Sequence, residues 1–184
     1  MDEKYQKIKE LVIREDSKNP IEIAKSIMQN DFINIHGPEH HFLDGACFLV
    51  AYKNAGGNID IEKSLNLLEE RTIKMPGAMC GYWGVCGAVT SVGASLSIIN
   101  ETTPLTSNEK YKDNMEFTSL VIDKMSKIGG PRCCKRNAFL SLSNGVEFVK
   151  NKYKIMMDID TIYCVFSNKN QQCINTNCPF FKNN

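Results

Sequence analysis

The side chains in this chain that could do thiol or soft-metal chemistry are eight cysteines and three histidines, and nearly all of them fall into four short blocks. The first block, HGPEHH at 36–41, holds every histidine and is followed closely by Asp44 and Cys47. Pro38 suits the first turn of a helix beginning near Gly37, with His36 ahead of it and His40 and His41 inside. On that helix His40, Asp44 and Cys47 fall at i, i+4 and i+7 and share a face. A histidine one turn from a carboxylate is an arrangement that fixes an imidazole tautomer, for catalysis or for metal ligation. The plainer reading has His40 and Asp44 hydrogen-bonding the helix start. Cys47, inside the apolar run ACFLVAY, reads as a small hydrophobe in the core.

The second block, CGYWGVCGA at 80–88, brings Cys80 and Cys86 into a glycine-rich setting. Were it all helix, six residues at roughly 100° each would set the two sulfurs about 120° apart, too far round to share one metal easily. Gly77, Gly81, Gly84 and Gly87 would also cost such a helix roughly 1 kcal/mol each. A loop opening a helix near Cys86 is therefore expected, so that both sulfurs and several backbone N–H groups can converge on one centre. Gly81, Gly84 and Gly87, with Arg132 from the next block, form the expected cofactor-binding backbone. Two buried structural cysteines are the alternative.

In the third block, GGPRCCKRN at 129–137, Pro131 marks a helix start and places Cys133 and Cys134 in its first turn beside Arg132, Lys135 and Arg136. A helix N-terminus and three cations favour thiolate over thiol, which predicts a low-pKa cysteine here. Neighbouring helix positions point apart, so one of the pair is expected to be functional and the other packed. The fourth block is the tail from 164, where Cys164, Cys173 and Cys178 stand in an Asn- and Gln-rich run. Their C-x8-C-x4-C spacing matches neither a ferredoxin run nor a C-x2-C zinc pair, although the closing Cys178-Pro179 echoes the former. So polar a segment has little surface to bury and would be loose unless its cysteines tied it down.

The elements that must carry these blocks read as helices. Apolar spacing of three and four predicts helices over 4–15, 20–27, 37–55, 59–73, 86–99, 109–128 and 131–153, joined at Gly and Pro positions. Residues 155–165 are the one plausible strand. Residues 75–99 carry no charge. They are long enough to span a bilayer, but their many Gly and Ser residues and the lack of a polybasic flank point to a buried helix instead. The expected fold is mainly α: one domain over 1–184, a helical bundle around a buried Gly/Ala-rich central helix, with 1–30 as scaffold, 31–153 as the core bearing the blocks, and 154–184 as a Cys-rich tail.

With 22 basic and 21 acidic residues the formal net charge is +1, which gives no electrostatic case for nucleic acid or an anionic membrane. The charged N-terminal stretch MDEKYQKIKE lacks the apolar core of a secretory signal, so a cytoplasmic setting is expected, where clustered cysteines favour metal or catalysis over disulfides. No phosphate-binding glycine motif is present.

Taken together, the four blocks resemble a family of cysteine-rich domains of unknown function found mainly in anaerobic bacteria and archaea, over the chain from His36 onward. The resemblance implies that the blocks form one site, and by that distribution it implies an oxygen-sensitive iron–sulfur cluster in preference to zinc. Three functions follow as expectations. In the first, Cys164, Cys173 and Cys178 with Cys133 or Cys134 hold a 4Fe–4S cluster, while Cys80, Cys86 and His40 flank a pocket for a second metal or a small sulfur-containing or redox-active substrate. In the second, Cys133 or Cys134 is a metal-free nucleophile served by His40 or His41, with Asp44 behind them. In the third, a zinc-stabilised module without catalysis binds a partner. A small molecule or a redox protein is the expected partner.

Overall fold

A computed structural model describes residues 2–182, so residues 1, 183 and 184 of the expected domain lie outside the described residues. The described residues form α1 (Asp2–Val12), α2 (Pro20–Met28), α3 (His40–Asn54), α4 (Ile61–Thr72), the single turn α5 (Met79–Tyr82), α6 (Gly87–Ile99), α7 (Glu109–Ile128) and α8 (Cys134–Tyr153), followed by two 3-10 turns at Ser167–Lys169 and Asn175–Asn177. Several starts follow directly from sequence chemistry. The Asn19 side-chain oxygen accepts from the N–H groups of Ile21 and Glu22 at 3.0 and 3.3 Å, with Pro20 opening α2. Asp60 accepts from the Lys63 N–H at the head of α4, and Asn108 from the Lys110 N–H at the head of α7.

Two helices share the centre. α6 packs against α3, α4, α7 and α8, as expected of the glycine- and alanine-rich segment. α3 is buried on every side from His40 to Tyr52, because α1, α2, α4, α6 and α8 all close over it. The two helices meet at Gly45. Its N–H donates to Ser91 Oγ at 2.8 Å and its carbonyl accepts from Ser95 Oγ at 3.2 Å. A Cβ at Gly45 would stand 2.7 Å from both hydroxyl oxygens, so the close approach of the backbones needs a residue with no side chain. The apolar side chains of the same two helices, Phe42, Leu43, Phe48, Leu49, Val89, Val92 and Leu96, join the single core.

Three expectations are corrected. Residues 155–165 form no strand: their backbone finds isolated partners, Asp158 N–H to the Lys18 carbonyl and Cys164 N–H to the Phe180 carbonyl, and no neighbouring ladder. The third block enters its helix later than Pro131, because Cys133 itself is the N-cap residue and α8 begins at Cys134. The Gly-rich loop before α6 is not wholly irregular, since Met79–Tyr82 makes one turn before Gly84, at φ +71°, breaks it. The tail, expected to be loose unless its cysteines tied it down, is packed by aromatic side chains: Phe166 and Phe180 are buried, and the Phe180 ring meets Phe139 edge-on at 5.7 Å. Among the described residues no helix is long and apolar enough to cross a membrane.

Candidate functional site

The head of α8 divides the chemistry between two cavities. Cys133 lines the first together with Cys164, Cys173 and Cys178, under a wall of Phe166, Ile174, Phe180 and Phe181. Cys134 lines the second together with His36, His40, His41, Asp44, Cys80, Cys86 and Arg132. The pair points apart, as neighbouring helix positions must, but each member faces a chemical site where one had been expected merely to pack. All eight cysteines are free thiols. Cys47 alone lies away from both cavities, fully buried in the core, where burial pushes its thiol well up.

In the first cavity each sulfur accepts an N–H. Cys133 receives the Arg136 N–H at 3.4 Å and the Asn170 Nδ2–H at 3.5 Å. Cys173 receives the Asn175 N–H at 3.4 Å, and Cys164 and Cys178 are hydrogen-bonded by the backbone of Phe166 and Phe180. Three of the five donors lie two residues beyond the sulfur they serve, so short tight turns of the tail create them. Such N–H donors favour the anionic form of sulfur, opposing the burial that raises the thiols of Cys164 and Cys178. The free space enclosed between these side chains is about 20 Å³.

The second cavity is larger, about 290 Å³, and its floor is polar atoms without partners. Asp44 is completely buried and neither carboxylate oxygen has a hydrogen bond. The neighbouring His40 Nδ1 stands 3.7 Å from Asp44 Oδ1, beyond hydrogen-bond reach. Burial pushes the Asp44 carboxyl up, while His40, His41 and Lys135 pull it back. The buried ammonium of Lys135 donates to the Asn34 carbonyl at 3.0 Å and stands 3.1 Å from His40 Nε2, which is itself 3.2 Å from the same Asn34 carbonyl. Desolvation brings Lys135 down to about 8, even with Phe166 5.1 Å from the ammonium. His41 hydrogen-bonds the Met75 backbone, leaving a buried and unpartnered Nδ1. Burial lowers its pKa, so the neutral ring is favoured.

The thiols of this cavity are held as well. Cys86 receives the Asn137 Nδ2–H at 3.2 Å and a backbone hydrogen bond from Ala88, and Cys134 receives one from Gly37. The expectation of a low-pKa cysteine fails at Cys134, whose thiol burial pushes up to about 12. Two of the three cations credited with lowering it are engaged elsewhere, and only Arg132 borders the same cavity. Lys135 is committed to Asn34 and His40, and the Arg136 guanidinium donates to the Gly129 and Pro131 carbonyls, both at 2.9 Å. Of the expected cofactor-binding residues, Gly87 and Arg132 border this cavity, whereas Gly81 and Gly84 line an adjoining groove with Cys80, Cys86 and Arg132.

A short hydrogen-bonded circuit joins the two cavities. The Cys134 N–H donates to His36 Nδ1 at 3.4 Å, His36 Nε2–H donates to Asn170 Oδ1 at 3.0 Å, and Asn170 Nδ2–H returns to the Cys133 sulfur. Sequence reasoning missed Asn170 and Asn137, since an asparagine that serves a sulfur from elsewhere in the chain leaves no spacing signal. It counted Lys135 only as a local charge. Among the described residues no three His, Cys, Asp or Glu side chains are already drawn together as the ligands of a single ion. The four blocks are nonetheless neighbours: the first three share the second cavity, and the fourth meets the third across the first cavity.

Comparison with known proteins places the chain in a family. Residues 8–181 match the family of unknown function DUF5714, and the chain belongs to it. The match begins well before His36, where the resemblance read from the four blocks began. No curated protein and no solved structure matches the chain.

Proposed function

We propose that this chain is an iron–sulfur protein, in which Cys133, Cys164, Cys173 and Cys178 ligate one cluster of the 4Fe–4S type. The observation that carries the reading is the N–H donor on each of four sulfurs lining one apolar cavity. Hydrogen bonds to ligand sulfurs and a dry surround are the means by which proteins hold and tune such clusters. The sulfurs stand around the cavity wall without three of them meeting at one point. In a cluster each thiolate binds a different iron, so the four sulfurs need not converge on a single point. The adjoining cavity gives a small sulfur-containing or redox-active substrate a place beside it, which would make the protein an oxygen-sensitive enzyme.

A four-thiolate zinc site is the second reading, favoured by the enclosed space of about 20 Å³, which is the size for one water or one ion. A metal-free nucleophile is the weakest of the three where Cys134 is concerned, since its thiol lies far above neutrality. Anaerobic purification followed by iron, sulfide and zinc analysis decides among them. Iron with matching acid-labile sulfide and a broad visible absorption is the expected result. Stoichiometric zinc without sulfide supports the second reading, and a colourless protein after anaerobic reconstitution with iron and sulfide contradicts the first.

A further inference from the structure

The second cavity calls for a ligand of its own. A carboxylate at 0 % exposure with two unpartnered oxygens, beside a histidine at 7 % exposure with an unpartnered Nδ1, leaves polar groups desolvated and uncompensated. Buried charges of this kind are paired or coordinate metals. Two carboxylate oxygens and an imidazole nitrogen, all buried without a hydrogen-bond partner and lining one cavity, are a donor set that a metal cation satisfies. The thiols lining the same cavity select a borderline or soft transition metal over calcium or magnesium.

We propose that this cavity binds a divalent transition-metal ion of the zinc type through His41 Nδ1, the Asp44 carboxylate and the thiolates of Cys86 and Cys134. The groups behind these donors are those a metal site needs. The Met75 backbone holds the His41 ring, and its Nδ1 is buried without a partner. The Cδ2 and Nε2 atoms of the ring lie against α6 at Gly87, where a Cβ would come within 2.1 and 2.2 Å of them. Asn137 and Ala88 hydrogen-bond the Cys86 sulfur, and Gly37 that of Cys134. Binding deprotonates the two thiols and draws the donors inward over a cavity of about 290 Å³. The space that remains, bordered by Arg132 and Cys80, admits a small anionic ligand next to the ion.

The test uses the full chain, purified anaerobically, with cobalt(II) as the probe, because thiolate-bound cobalt has a near-ultraviolet charge-transfer band that reports sulfur ligation. The chain is expected to take up cobalt in a site that survives Cys164→Ser, a substitution aimed at the other cavity. His41→Ala and Asp44→Asn should each weaken that binding by about 10-fold or more, and Cys86→Ser or Cys134→Ser should diminish the charge-transfer band. Gly87→Ala is the companion variant, removing no ligand atom but displacing the His41 ring, and it too should lose cobalt while circular dichroism reports an intact helical fold. Cobalt uptake that disappears with Cys164→Ser, or that is unchanged by His41→Ala, Asp44→Asn and Gly87→Ala together, overturns the proposal. Loss of iron and sulfide on Cys164→Ser with cobalt uptake retained keeps this inference distinct from the cluster reading.

Discussion

The two cavities on either side of the Cys133–Cys134 peptide differ in what they leave unsatisfied. In the first, every sulfur already accepts an N–H and the walls are aromatic. In the second, the thiols are held in the same way, but a buried carboxylate and two imidazole nitrogens have no partner. Under the proposed reading, four thiols already held by N–H donors would form a permanent structural or redox centre, bound as the chain folds. A roomier site with free polar atoms reads as one that exchanges ligands. The shared helix start and the His36–Asn170 circuit connect the two cavities, but neither lends the other a sulfur.

The largest expected effect comes from removing the first centre. Cys164→Ser should abolish its metal and release the 154–182 segment, because Phe166 and Phe180 are the main apolar anchors of an otherwise polar tail. Thermal melting and limited proteolysis of the tail should both register the loss, while the α1–α8 bundle stays folded. An unchanged melting curve would make that cavity ordinary packing.

Gly87→Ala should act on the other side of the comparison. Its new methyl group meets the His41 ring at 2.1 Å, and displacing that ring is expected to cost at least about 10-fold in affinity at the second cavity, with iron and sulfide in the first left as in the unaltered protein. Metal analysis of the one variant reads both sites. Loss of iron together with cobalt would show that the two cavities are one.

Asn170→Ala blurs the division by design. It deletes the hydrogen bond to Cys133 and the acceptor of His36, so a roughly 10-fold weakening of the first centre is expected, and equilibrium chelator competition measures it. The smallest effect belongs to Cys47→Ala, which trims a buried sulfur from the core. About 1 kcal/mol of stability should go, by urea denaturation, with no metal lost from either cavity.

How much of this could be read in the sequence depends on the range of the interaction. The helices were legible because their signals are local: Asn19-Pro20 at the head of α2, and the three- and four-residue apolar spacing of α7 and α8. The grouping of His40 with Asp44 was legible for the same reason, being one turn of one helix. The strand expected at 155–165 failed because alternation of residue types gives no partner strand to pair with. The electrostatic argument for a low-pKa cysteine failed because it counted charges by sequence distance. Lys135 and Arg136 turn inward to Asn34, His40 and the 129–131 backbone, and burial then dominates at Cys134. The partition of two adjacent cysteines between two cavities depends on contacts across about 100 residues, as between His36 and Cys134, and no spacing within a block encodes it.

The central claim, that Cys133 and Cys134 serve different sites, is tested most directly by metal and sulfide analysis of Cys133→Ala and Cys134→Ala, each reconstituted anaerobically and titrated with cobalt. The account predicts opposite outcomes from neighbouring substitutions: Cys133→Ala loses iron and sulfide and keeps the cobalt site, and Cys134→Ala keeps iron and sulfide and loses the cobalt site. Identical losses in the two variants, or no loss in either, would contradict it.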